Sequence, residues 1–153
     1  MCVAVSYITY VVKSVKPPAR LKRKTFSKKL LNNSLIKQGC FAESIACAFL
    51  TKNNYQILAQ NLAYKNHELD IVALDLQYDE YVFVEVKWRN SDRFGEGSQA
   101  VDYKKILSMQ IVAKQWLAKQ KFPKAWRFDI ISLLGNLKSR NLTIRHYKNI
   151  SWL

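Results

Sequence analysis

Order-breaking residues are scarce in this sequence. Four glycines and three prolines in 153 residues are too few for a collagen-like, linker-like or low-complexity chain. Two histidines, His67 and His146, and three cysteines, Cys2, Cys40 and Cys47, supply no C-x-x-C pair with a histidine partner, which argues against a structural zinc site. Three cysteines cannot all pair within one chain, and Cys40 and Cys47, two helical turns apart, lie roughly 10 Å from each other, beyond disulfide reach. A reducing, cytoplasmic compartment is therefore expected. Long apolar runs are also missing. The longest, residues 1–12, is interrupted by Ser6 and Thr9 and falls short of the roughly 20 residues that cross a bilayer. Its positive charge follows rather than precedes it, which is not the order of a signal peptide.

Acidic residues are few as well. Eleven Asp and Glu face 25 Lys and Arg, a net charge of +14, so a polyanion is the natural class of partner. Nine basic residues, Lys13, Lys16, Arg20, Lys22, Arg23, Lys24, Lys28, Lys29 and Lys37, precede the first acidic residue, Glu43. Pro17-Pro18 and Asn32-Asn33-Ser34 punctuate this region, so residues 1–33 are expected to form a flexible basic extension and residues 34–153 one domain. The extension reads either as a solvated tail or as an arm on which Lys22, Arg23 and Lys24 contact phosphates, adding affinity without sequence choice.

What is present is a core. Apolar residues make up 49% of the chain and aromatics 12%, enough to offset the entropy of ordering a domain. With Ser34 as its N-cap, residues 34–53 read as a helix whose stripe runs through Ile36, Gly39, Cys40, Ala46, Cys47 and Leu50, with Glu43 in its middle. Residues 55–62 suit a strand. Residues 67–74 alternate, with Leu69, Ile71 and Ala73 on one face and Glu68, Asp70 and Val72 on the other. Residues 75–79 carry turn chemistry, and residues 80–88 are so rich in β-branched and aromatic side chains that they read as a central strand. A loop over 90–97 leads to a helix over 98–120, with Tyr103, Ile106, Leu107, Ala113 and Leu117 on one face and Pro123 closing it. Strands follow at 126–134 and 142–147. The order α-β-β-β-α-β-β predicts an α/β fold with a mixed central sheet flanked by helices, rather than a Rossmann alternation.

The chemistry sits in the central strand. An ionised side chain in an apolar strand is costly unless paired or metal-bound, and Y-V-F-V-E-V-K-W holds two, Glu85 and Lys87, on the face of Tyr81 and Phe83. A hairpin turning about Gln77 and Tyr78 sets Asp70 opposite Glu85 and Glu68 opposite Lys87. With Glu43 projecting from the first helix, these acids would form a hard-oxygen site suited to Mg2+ or Mn2+. Such a cation polarises a phosphate oxygen and acidifies a bound water, while Lys87 holds that nucleophile or offsets developing negative charge. Taken alone, E-x-K is a weak signal, equally consistent with a cross-strand ion pair.

The combination is more specific. An aspartate in one strand, E-x-K fifteen residues later and a glutamate on the preceding helix is the arrangement of the PD-(D/E)xK nucleases. The segments G-C-F-A-E ending at Glu43, A-Q-N ending at Asn61, E-L-D-I-V from Glu68, V-F-V-E-V-K-W-R from Val82, Phe94-Gly95, Val101 to Lys105, and Arg127-Phe128-Asp129 resemble the YraN family of bacterial proteins, in order and at that family's spacing. The resemblance implies a restriction-endonuclease-like α-β-β-β-α-β core, similar to archaeal Holliday junction resolvases. It also implies metal-dependent phosphodiester hydrolysis of DNA, branched DNA included, with DNA favoured over RNA. Position by position, it makes Glu43, Asp70, Glu85 and Lys87 the catalytic set, and Glu43, Glu68, Asp70 and Glu85 the ligands of Mg2+ or Mn2+. His67 stands where the family usually has glycine, Ala42 replaces the glycine before Glu43, and Trp88 takes the place of a common threonine; none of these removes a ligand.

Arg89 and Lys105 are candidate phosphate contacts, with solvated surface charge as the alternative for each. Arg127 and Asp129 read as a structural pair, and the tryptophans 88, 116, 126 and 152 as mostly core rather than base-stacking platforms. A resolvase-like role would require a two-fold homodimer, because symmetric cutting needs two sites related as the strands are. The rival readings are a catalytically silent nucleic-acid-binding module of the same fold and a protein-interaction domain.

Overall fold

The computed structural model describes residues 7–12, 34–90, 103–137 and 142–150. Helix α1 (Ser34–Lys52) leads into three consecutive strands, β2 (Tyr55–Tyr64), β3 (His67–Asp75) and β4 (Glu80–Arg89). Helix α2 (Tyr103–Leu117) follows, then β5 (Trp126–Leu134) and β6 (Leu142–Tyr147), while β1 (Tyr7–Val12) precedes them all. The six strands form one sheet in the order β1-β6-β5-β4-β3-β2. Only β4 and β5 run parallel; the other neighbours are antiparallel. A parallel pair cannot be joined by a hairpin, and α2 falls in the crossover between them. The fold is thus the α/β arrangement with a mixed sheet and an α-β-β-β-α-β core.

Strand β4 shows how the two helices are held. Val82 and Val84 face one way and join Ile71, Ala73, Ile131 and Leu133 under Ala42, Ile45, Ala46, Phe49 and Leu50 of α1. Tyr81 and Phe83 face the other way and pack with Val72 and Phe128 under Met109, Val112 and Ala113 of α2. Fully buried side chains of this kind contribute roughly 1.5–3 kcal/mol each, so both helices are fixed by the same continuous apolar strand. The buried stripe of α1 keeps three- and four-residue spacing but is rotated from the expected one: Cys40 is exposed, and Ala42, Ile45 and Phe49 take the core. On α2, Leu107 is 40% exposed, and Met109 and Val112 hold the face it was expected to share.

Strand β1 lies upstream of residue 34, where the sequence suggested that the fold begins, and pairs with β6 from Tyr7–Tyr147 to Val12–Leu142. Its sequence, Tyr-Ile-Thr-Tyr-Val-Val, is all β-branched or aromatic, a strand signal overshadowed by the basic run behind it. Lys22, Arg23 and Lys24 lie outside the described residues, as do Trp152 and the expected loop from residue 91 onward.

A polar network ties the sheet together at one end. Arg127 is expected to pair with Asp129, and its Nε does so at 3.1 Å. Its other nitrogens reach Asp75 at 2.7 Å, Glu80 at 2.6 Å and the Tyr55 hydroxyl at 3.1 Å. Asp129, fully buried, also meets His146 Nε2 at 2.8 Å and accepts from the Asn149 N–H. One connected cluster therefore joins β2, β3, β4, β5 and β6. Burial alone would raise the Asp75 carboxyl, but the hydrogen bonds from Arg127 and the Gln77 N–H hold it below its ordinary range.

Replacing Arg127 with methionine should cost about 3–5 kcal/mol, because Asp75 and Asp129 would keep buried charge without its partner. Urea unfolding measures this. A loss below about 1 kcal/mol would show the network to be solvated and dispensable.

Candidate active site

At the opposite end of the sheet the β3–β4 ladder stops short. Strands β3 and β4 pair from Asp75–Glu80 to Ile71–Val84, the register demanded by a turn about Gln77 and Tyr78. There the ladder ends. Asp70 does not take up the expected pairing with Glu85; instead its Oδ2 accepts the Val86 N–H at 2.7 Å. A side-chain carboxylate thus satisfies a backbone donor that a continued ladder would have bonded to β3, and the two strands part around it.

Strand β2 accommodates this point from the other side. Its ladder with β3 shifts register between Ile57 and Ala59, then passes from Gln60–Ile71 to Leu62–Leu69, leaving Asn61 facing Asp70. Asn61 has a left-handed φ of 51°, a conformation that asparagine tolerates better than most residues. The irregularity also reverses the alternation expected for β3. Leu69 belongs to the α2-side core, whereas Ile71 and Ala73 belong to the α1-side core.

Side chains from both helices converge on this gap. Glu43 of α1 is hydrogen-bonded to the Asn61 side chain, and burial, then the nearby Asp70 charge, raise its carboxyl above the ordinary value. Asp70 is itself raised by burial, against the opposing effect of the Val86 N–H. Glu85 is the most constrained. Its side chain is only 9% exposed, and burial followed by the charge of Asp70 pushes its carboxyl up to about 7. Lys105 of α2 places Nζ 3.1 Å from Glu85 Oε2 and 3.7 Å from Glu68 Oε1. Burial would lower the Lys105 ammonium, but the charge of Glu85, with Asp70 and Glu68 behind it, holds it above its usual value.

Of the residues expected at the site, Glu43, Glu68, Asp70, Glu85 and Lys105 are brought together. Glu68 lies opposite Ala63 rather than Lys87, because the β3–β4 ladder has already ended, and its carboxylate is 77% exposed. Lys87, half-buried, stands level with Ser132 of β5. Arg89 ends β4, where its carbonyl accepts the Gly135 N–H. Lys105, for which solvated surface charge was the alternative, is bound to the acids instead. Asn61 enters the sequence reading only through the A-Q-N motif; with Gln56 and Gln60 on the same strand, polarity alone does not single it out. The three unusual residues are structural in their contacts. His67 Nδ1 meets Ser108 Oγ at 3.2 Å, Trp88 donates to the Gly135 carbonyl at 2.8 Å, and Ala42 is buried on the sheet-facing side of α1.

The donor set suits a hard divalent cation in chemistry, since it is all carboxylate oxygen. Glu85 Oε2 supports this: it is buried, and no donor meets it in hydrogen-bonding geometry, Lys105 being close but off-angle. Among the described residues, however, no three acidic, histidine or cysteine side chains are gathered closely enough to enclose a metal ion as they stand.

A model of the uncharacterised protein family UPF0102 matches residues 42–133, a segment that contains every residue of this site. A UPF0102 protein of Alkaliphilus oremlandii is 36% identical over 116 residues, covering 74% of this chain and 96% of the relative. The chain belongs to the UPF0102 family. A UPF0102 protein of Caldanaerobacter subterraneus is 37% identical over 113 residues, covering 73% of this chain and 89% of its own length. One of Aliivibrio fischeri is 34% identical over 107 residues, covering 68% and 85%. UPF0102 is the family of the YraN proteins, so the resemblance read from the motifs holds. Among the described residues no helix is long and apolar enough to cross a membrane.

The raised Glu85 carboxyl has a thermodynamic consequence. A carboxyl with a higher value folded than unfolded stabilises the fold below about 4.5, and that contribution is lost as pH rises through about 7. In metal-free solution the urea midpoint of the wild type should therefore fall between pH 5 and pH 8 relative to that of Glu85→Gln. Parallel pH profiles for the two proteins would contradict it.

Proposed function

We propose that the protein is a metal-dependent endonuclease-like enzyme that hydrolyses phosphodiester bonds in DNA, branched DNA included. The observation that carries this reading is the buried Glu85 carboxylate beside Asp70, whose Oε2 is in no well-aligned hydrogen bond and is balanced only by the Lys105 ammonium at 3.1 Å, in a strongly basic protein. Neighbouring buried carboxylates are costly unless cations balance them, and one ammonium leaves the summed charge of Asp70, Glu85 and Glu43 short of balance. Asp70 and Glu85 would hold Mg2+ or Mn2+, with Glu43 and Glu68 at its margin. When bound, that ion supplies charge for a phosphate oxygen and acidity for a water.

The chain's own residues supply the rest. Asp70 is anchored by the Val86 N–H, which fixes how its carboxylate is presented beside Glu85. Glu43 is steadied by Asn61 and can take a proton from a water at the α1 side of the gap. Lys87, two residues beyond Glu85 on β4, would neutralise charge developing on the phosphate. Four carboxylates alone would repel DNA, and the net charge of +14 together with Arg89 and the basic extension would reverse that field over a wider surface. The family relationship supports the reading through the motifs that the chain shares with it.

A second reading is favoured by one observation. The acids are not gathered into a cation shell among the described residues, as suits a DNA-binding module that has the fold without turnover.

Cleavage of labelled single-stranded, duplex and four-way-junction DNA in Mg2+, Mn2+ or EDTA separates the two. The enzyme reading expects metal-dependent cutting, reduced at least about a hundredfold in both Glu85→Ala and Lys87→Ala. Salt-dependent binding without cutting in any metal, retained or tightened in Glu85→Ala, would overturn it in favour of the silent module.

A further inference from the structure

The acid cluster already contains a cation. Lys105 lies in the first turn of α2, which carries no acidic residue, and this is the helix end where the macrodipole disfavours positive charge. It is nevertheless held between two carboxylates from different strands, Glu85 of β4 at 3.1 Å and Glu68 of β3 at 3.7 Å, with its own side chain 24% exposed. The contact to Glu85 is one of charge without hydrogen-bond geometry, since Oε2 has no donor aligned on it. An ammonium is a compact point charge on a flexible stem. Leaving such a poorly aligned contact costs less than breaking a well-aligned charge-assisted bond.

We propose that Lys105 is a resident cation that a divalent metal ion must displace. This rests on the metal-binding reading above and adds a gate to it. In the metal-free protein the ammonium spans Glu85 and Glu68 and substitutes for part of the ion's charge. When Mg2+ or Mn2+ enters, Glu85 exchanges the ammonium for the metal, and Lys105 is released at the exposed rim of the site, where a DNA phosphate would be its next partner. The site then changes from a closed internal ion pair to a metal ion flanked by a free lysine. Metal and phosphate would thereby bind with mutual support, because each relieves a charge that the other leaves unpaired.

Competition of this kind reduces apparent metal affinity to the intrinsic affinity multiplied by the fraction of molecules from which the ammonium has withdrawn. Removing it should raise that affinity. Mn2+ binding to the full chain, read as free Mn2+ by electron paramagnetic resonance, is the test, on wild type, Lys105→Met, Lys105→Gln and Lys87→Met. The proposal expects both Lys105 variants to bind Mn2+ at least about fivefold more tightly than wild type, and Lys87→Met to show a clearly smaller gain. Equal or weaker binding in the Lys105 variants, or a matching gain in Lys87→Met, would reduce the effect to general electrostatics and overturn the gate while leaving the metal reading intact. No binding by wild type or any variant would overturn both. Should the Lys105 variants fail to fold, Mg2+ titration of wild type labelled at lysine Cε provides the check. The Lys105 resonance should shift with saturation, and an unmoved resonance alongside measurable Mg2+ binding would refute displacement.

Discussion

A single hydrogen bond, from the Val86 N–H to Asp70 Oδ2, makes the candidate site possible. Adjacent antiparallel strands normally satisfy one another's backbone groups along their full length, and a gap between them leaves buried donors unpaired. Here a side-chain carboxylate takes the donor, so β3 and β4 can separate after Ile71–Val84 without that cost. The separation admits Glu43 from one helix layer and Lys105 from the other. Glu85, one residue beyond the last ladder pair, turns its carboxyl into the space created.

The two ends of the sheet solve opposite problems. At the end where β4 and β5 begin, Arg127 and Asp129 connect five strands through short ion pairs and hydrogen bonds, with every buried charge partnered. Five residues along β4, roughly 17 Å away at the rise of a strand, the carboxylates are mutually repelling and Glu85 Oε2 is matched only by the Lys105 ammonium. A site that stores electrostatic stress of this kind needs a rigid support, and the continuous apolar stretch from Tyr81 to Val84, buried under both helices, provides it. Paired charge is concentrated at one end and crowded carboxylates at the other.

Much of this was legible in the residues. Period-two alternation and β-branched density located β3 and β4, and a turn centred on Gln77 and Tyr78 fixed their register over Ile71–Asp75. The acids and E-x-K pointed to the region where Glu43, Asp70, Glu85 and Lys105 converge, and the family relationship followed from the same motifs. Local departures from periodicity were hidden. Nothing in E-L-D-I-V announces that Asp70 bonds to backbone, so Leu69 was placed on the face of Ile71, and the left-handed Asn61 that compensates was invisible to a face count. Lys105 looked like one surface cation among many, because its partners come from two other elements. The stripe of α1 was rotated because glycine and cysteine were counted as apolar where Phe49 and Ile45 carry the larger buried surface. Strand β1 was lost in the shadow of the basic segment behind it.

The central claim is that the gap held open by Asp70 is a cation site. Anomalous diffraction from crystals equilibrated with Mn2+ tests it most directly, because the metal's position is observed independently of any activity. The account predicts an anomalous peak within coordination distance of Asp70 and Glu85 carboxylate oxygens, with the Val86–Asp70 bond retained. A map with no peak there at saturating Mn2+, or with Glu85 still paired to Lys105 and the metal bound elsewhere, would contradict it.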